Sequence, residues 1–317
     1  MKSSIQSLIK ELEIICPQDF SVNVSMANIS SWRVGGCAAV LVNPSSLQQL
    51  IDVTVMLSAK KLPYLVIGNT TNLLFTDENI DAVIIQVGSS LSECRIEGEV
   101  IIAQAGLWVP KLARKAMQAS LTGVEHICGI PGTLGGLIAM NGGSQRKSIG
   151  SAVSSVITVS ECGTLNTYAN ADCKFSYRSS IFQRTNEIIV QVELILRKVD
   201  DKRRVRREMR NILQRRNEKF PRKLPSCGSV FVSNPSMYAA YGPPGKVIET
   251  YGMKGLGKGG AQVSNTHANF IVNNGGASAA DILYLINFLR ESVYNKTGYL
   301  MDVEAKYVNA DGLVSNI

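Results

Sequence analysis

Histidine is nearly missing from this chain: 317 residues contain only two, His126 and His267. That leaves no material for a multi-histidine metal centre, and very little for a serine–histidine–aspartate triad. Cysteine is present but unpatterned. The seven thiols, at 16, 37, 94, 128, 162, 173 and 227, include no Cys-x-x-Cys pair. An odd, scattered set reads as reduced thiols of a cytoplasmic protein, with neither a zinc site nor a disulfide framework. No apolar run approaches the roughly 20 residues that a membrane span requires. With 45% hydrophobic and 18% charged residues, the composition excludes a disordered tail or a fibre. The expectation is a globular protein with no metal and no membrane partner.

Positive charge is in excess, +8 in all, and much of it lies between Lys202 and Lys223. The stretch Arg203-Arg204-Val205-Arg206-Arg207-Glu208-Met209-Arg210 reads as helix, and nucleic acid is one partner such a run can serve. Without aromatic interleaving or a repeat, a solvated helix beside an anionic-substrate site explains the charge equally well. At this length two or three domains are expected. Met1 to Cys16 spaces Ile5, Leu8, Ile9, Leu12 and Ile15 as an amphipathic helix, and Lys10, Glu11 and Glu13 interrupt any export-signal core. Helices are predicted over 45–61 and about 108–119. Strands are predicted over 39–42, 63–67, 82–87, 100–104, 153–160, 175–177 and 188–196. A domain boundary is expected near Asp200, where the composition shifts. Beyond it lie the basic helix, a strand at 268–272 and a long helix. Ser278 with Asp281 three residues on forms its capping box, and Gly298 ends it. Tyr299 to Val308 alternates as a last strand, with Leu300, Asp302, Glu304 and Lys306 on one side. The class is α+β.

What the chain has in abundance is locally clustered glycine. From Gly129 to Gly143, six glycines and a proline fall within 15 residues, including Gly129-Ile130-Pro131-Gly132-Thr133-Leu134-Gly135-Gly136 and Asn141-Gly142-Gly143. Such density marks either turns between core segments or a main chain that must approach a ligand, and backbone N–H groups there suit phosphates. Gly68-Asn69-Thr70-Thr71-Asn72 follows a buried strand and has the same two readings, a polar turn or an anion cradle. It is neither a Walker A loop nor a Rossmann fingerprint. Tyr177-Arg178-Ser179-Ser180 sets an arginine among hydroxyls, for a surface ion pair or a substrate carboxylate. Gly228-Ser229 sets a serine in a turn, either satisfying backbone groups or delivering a proton. His267 and Glu304 have ordinary structural readings when taken alone.

Taken together and in order, these blocks resemble the UDP-N-acetylenolpyruvoylglucosamine reductases, flavoenzymes of bacterial cell-wall precursor synthesis. The resemblance runs from about 28 to 308. It rests on Ser31-Trp32-Arg33-Val34-Gly35-Gly36, Gly68 to Phe75, Gly123-Val124-Glu125 with Gly129 to Asn141, and Phe175 to Ser180. It continues through Gly228-Ser229-Val230-Phe231, Lys246 to Glu249, Gly252 to Gly255, Gly259 to Asn273 and Leu300 to Glu304. It implies an FAD-binding fold of the vanillyl-alcohol-oxidase (PCMH) type in two subdomains, about 1–60 and 61–199. A substrate-binding domain at 200–298 and a C-terminal strand at 299–317 returning to the active-site cleft complete it. FAD, bound non-covalently, is expected at Arg33, Gly68, Asn69, Thr70, Thr71, Asn72, Leu73, Gly129, Ile130, Pro131, Gly132, Thr133, Gly135, Gly136 and Asn141. The substrate, a UDP-sugar, is expected at Tyr177, Gly228, Lys258, His267 and Asn269.

By the same resemblance NADPH is the reductant, and hydride passes through the flavin to the vinyl C3. Arg178 and Glu304 stabilise the carboxyl end, and Ser229 protonates C2. The chain is similar to the shorter type of the family, without an extra substrate-covering tyrosine loop, and a monomer is expected. It departs from the family pattern at 69–71, at 141–146, where Asn141-Gly142-Gly143-Ser144-Gln145-Arg146 replaces an alanine–glycine turn, and at 232–244. These departures leave open a paralogue acting on a related nucleotide sugar. A carbohydrate oxidase of the same fold and nucleic-acid binding through the 202–223 helix are the remaining alternatives.

Overall fold

The computed structural model describes residues 2–317, with side chains from Gln6 onward. Met1 and the side chain of Ile5, both within the expected first helix, lie outside the described residues. The chain divides into two compact units. One comprises Met1–Val22, Val40–Asn69 and Val83–Arg215, and the other Asn23–Ala39, Thr70–Ala82 and Arg216–Ile317.

The first unit is built on a five-stranded antiparallel sheet in the order Leu165–Ala169, Val153–Val159, Ile188–Ile195, Val100–Gln104, Cys94–Glu97. The central strands are the β-branched ones, and Val156 and Val192 are wholly buried. Tyr64–Ile67 pairs in parallel with the strand at 83–86. The helix predicted over 45–61 forms at Leu47–Ala59, with the Ser46 side chain accepting from Gln49 N. Val109–Gln118 buries Leu112, Ala113 and Ala116 and has Pro110 in its first turn.

The basic helix, Lys202–Lys219, corrects the boundary expected near residue 200. Its Val205, Met209 and Ile212 are buried in the first unit's core, so the division falls later, after Arg215. The composition shift recorded the helix's solvated face and not the end of a folding unit. Among the described residues, no helix is long and apolar enough to cross a membrane.

The second unit packs the helix Ala279–Thr297 against a three-stranded sheet, Gly257–Lys258, Ala261–Val263 and Ile271–Asn273. The capping box of Ser278 and Asp281 is formed, and Gly298 takes the left-handed φ of 73°. Asp77 adds a second cap, accepting from Ala279 N at 2.7 Å and Ala280 N at 3.1 Å. Trp32 is fully buried and donates to Ile271 O at 2.7 Å. Leu73–Phe75 runs parallel to Lys306–Val308, which pairs on its other side with Val314–Asn316.

Two predicted strands are not formed as such. At 175–177 the chain makes a two-residue turn instead, closed by Ser176 N to Ser179 O and Ser179 N to Ser176 O, with Arg178 at φ 55°. Of Tyr299–Val308 only Lys306–Val308 is regular strand. Upstream of it the backbone is taken by other partners, Arg290 Nε donating to Met301 O and Val232 N to Asp302 O.

Candidate functional site

In the first unit the two glycine-rich loops meet. Gly68 packs so closely on Thr133 that a Cβ there would lie 2.2 Å from Thr133 Oγ1. Sequence shows both loops but not this approach. The 129–136 run is pinned from behind. Leu134 N donates to Leu107 O and Gly135 N to Ala105 O, both at 2.8 Å, and Val109 N donates to Gly132 O at 2.9 Å. Gln86 Nε2 donates to Gly68 O at 3.2 Å, a support for the loop that no sequence pattern announces. Asn141 bridges the end of the run to the arginine turn, donating to Ser176 O at 2.7 Å and accepting from Gly150 N at 3.0 Å.

Arg178 tops that turn. Its guanidinium lies 5.4 Å from the centre of the exposed Tyr177 ring and donates to Gly143 O at 3.4 Å. His126, one turn before the glycine run, is buried, and burial with the nearby Lys147 charge lowers its pKa to about 4. Its carbonyl accepts from Ser144 Oγ at 2.5 Å.

In the second unit the structure brings Ser229 and Glu304 together. Glu304 N donates to Val230 O at 2.7 Å, and Val303 pairs with Phe231, so the serine and the glutamate sit on adjoining backbones. Gly228, at φ 91°, supplies the turn that a side-chained residue would resist. Asn72 donates to Glu304 O at 3.0 Å and accepts from Lys306 N at 2.9 Å, tying the polar loop to the glutamate. Cys227 is buried and its thiol is pushed well above the usual range, first by burial and then by the Glu304 charge, which disfavours the thiolate.

The other expected positions have definite surroundings. Arg33 is exposed at φ 54°, and Ser31 N beside it donates to Thr70 Oγ1 at 2.9 Å. Lys258 Nζ lies 4.8 Å from the centre of the Tyr284 ring. Asn269 is a strut: its Oδ1 accepts from Phe231 N at 2.9 Å and its Nδ2 donates to Phe231 O at 3.0 Å. His267 packs edge-on against Phe220 and Phe270, and its Nδ1 accepts from Asn269 N. Burial, then Lys219, lowers its pKa to about 4, which makes it a neutral Nε2–H donor at physiological pH. Arg178 belongs to the first unit, and Ser229, Glu304 and His267 to the second. Among the described residues, no group of three histidine, cysteine or carboxylate side chains is placed to hold a metal.

Both glycine-rich loops fall within a segment that matches a flavin-binding family, which places the chain among the flavin-binding oxidoreductases. Residues 38–166 match the family described as "FAD binding domain", and residues 220–308 match "UDP-N-acetylenolpyruvoylglucosamine reductase, C-terminal domain". A UDP-N-acetylenolpyruvoylglucosamine reductase 1 of Corynebacterium glutamicum is 42% identical over 293 residues, covering 92% of this chain and 87% of its own. The reductase of Carboxydothermus hydrogenoformans is 38% identical over 89% of this chain and 92% of its own. The crystal structure of the Thermus caldophilus reductase superposes with a TM-score of 0.76 at 28% identity, covering 90% of this chain and 97% of that one. The chain belongs to the UDP-N-acetylenolpyruvoylglucosamine reductase family.

Proposed function

We propose that this protein reduces the enolpyruvyl group of UDP-N-acetylglucosamine enolpyruvate to give UDP-N-acetylmuramate, with non-covalent FAD and with NADPH as reductant. The observation that carries the reading is the pairing of Glu304 N with Val230 O at 2.7 Å, which supports it by holding the backbones of Ser229 and Glu304 side by side. The closeness of Gly68 to Thr133 supports FAD, because the two loops then offer their amides along one edge. Leu134 and Gly135 already donate to Leu107 and Ala105, so the diphosphate would be met by the amides of Gly132 and Thr133 and by the neighbouring Gly68 turn. When bound there, FAD would supply the hydride-transfer chemistry that links NADPH to the vinyl C3.

The remaining work falls to side chains. Arg178 pairs with the substrate carboxylate in bidentate fashion and stabilises the charge that builds there as C3 gains hydride. Ser229 donates its hydroxyl proton to C2, which converts the vinyl ether to a lactyl ether, and it is reprotonated from solvent. Glu304 orients that end of the substrate, and His267 offers its Nε2–H to the diphosphate. We place the enzyme in the cytoplasm as a monomer, consistent with seven free cysteines. Isotope labelling tests the reading. Turnover with NADPH in deuterium oxide should put one deuterium at C2 of the lactyl product, and product without label at C2 contradicts the Ser229 route.

A further inference from the structure

Between Asn141 and Gly150 the chain makes a turn that the reading above does not use. Lys147 N donates to Ser144 O at 3.0 Å, and both central residues, Gln145 and Arg146, are left-handed, at φ 56° and 62°. Such turns ordinarily take Asn-Gly or Gly-Gly, because a side chain at positive φ costs conformational energy. A strained pair persists only where its surroundings over-determine it. Here they do. Ser144 Oγ is strapped to His126 O, and Ile149 N donates to Gly142 O at 2.9 Å. A Cβ on Gly143 would lie 1.9 Å from Lys147 O, so the loop closes only over glycine.

The strap holds Gln145, Arg146 and Lys147 exposed at the tip. Neither cation has an ion-pair partner among the described residues. The foot of the same loop carries the arginine turn, through Arg178 to Gly143 O at 3.4 Å and Asn141 to Ser176 O at 2.7 Å. One loop of the first unit thus carries Arg146 and Lys147 at its tip and, at its foot, holds the arginine assigned to the substrate carboxylate. A surface charge kept only for solubility needs no strained backbone and could sit anywhere.

We propose that Arg146 and Lys147 are specificity-determining residues that receive a phosphate group of the nucleotide ligands. The inference rests on the reductase reading, in which both ligands, NADPH and the UDP-sugar, are nucleotide phosphates. Arginine and lysine suit that chemistry as fork and point charge respectively. The ester on the NADPH ribose and the diphosphate of the UDP-sugar are the two sources.

Arg146→Gly with Lys147→Ala tests it, since glycine is favoured at φ 62° and the loop keeps its shape. The KM should rise about 10–100-fold for the ligand concerned, moving further than kcat, with flavin content retained. A rise for NADPH and none for NADH assigns the ribose ester. A rise for the UDP-sugar assigns its diphosphate. Calorimetry with 2′,5′-ADP and with UDP, on wild type and variant, gives a readout independent of turnover. Unchanged Kd values for both overturn the proposal. A wild type that binds both but turns nothing over overturns the functional reading and leaves this one standing.

Discussion

Gly68→Ala tests the cofactor cradle from the steric side. The new methyl would lie 2.2 Å from Thr133 Oγ1 and 3.2 Å from Thr133 Cβ and Cγ2, where 3.4–4 Å is ordinary contact. One wall must therefore move by more than about 1 Å, and neither moves freely. Thr133 is buried, and the two residues after it are bonded to Leu107 and Ala105. Overpacking of this kind costs about 1–3 kcal/mol. If the two loops grip the diphosphate together, that energy is lost from FAD affinity, a weakening of about 5- to 150-fold at 1.4 kcal/mol per decade. The assay is the Kd of the deflavinated protein for FAD, read by flavin fluorescence, with thermal unfolding of the apoprotein as control. Thr133→Ala removes the clashing hydroxyl, so the double variant should recover affinity with a coupling of about 1 kcal/mol. Wild-type affinity in Gly68→Ala, or a double variant no better than the single, would refute the reasoning.

Other outcomes follow from the same geometry. Ser229→Ala should slow reduction of the enolpyruvyl substrate by about 10²–10⁴-fold while flavin reduction by NADPH stays nearly intact; equal loss in the two half-reactions removes Ser229 from the acid role. Asn269→Ala strands Phe231 N and O and should destabilise the protein by about 1–3 kcal/mol, read from its urea midpoint. Both histidines fall from 6.5 to about 4, so between those values the unfolded chain binds protons that the folded chain refuses. Stability should therefore decline as pH drops through that window, and His126→Phe should flatten the decline in urea titrations between pH 7 and 4.

How much of this was legible in the sequence differed by the range of the interaction. The helix ends at Ser278 and Gly298 were readable because caps are local. The glycine loops were visible as composition, but the approach of Gly68 to Thr133 links residues far apart in the chain and leaves no local pattern. The same holds for Glu304: its position on an alternating stretch suggested a solvent-facing edge, whereas its backbone is held by Val230 and Asn72. The 202–219 helix misled because its charged face can be solvated while three apolar residues, Val205, Met209 and Ile212, decide which core it joins. Residues 175–177, just before Arg178, looked like strand because β-propensity does not report turn chemistry. The left-handed φ of Arg178, like those of Gln145 and Arg146, has no glycine to betray it.

The most direct test of the central claim is anaerobic flavin spectroscopy on the purified, FAD-loaded protein. The account predicts a yellow protein that bleaches on adding NADPH and regains its colour on adding UDP-N-acetylglucosamine enolpyruvate, one equivalent for each flavin. A protein that bleaches but stays reduced in excess substrate would contradict it.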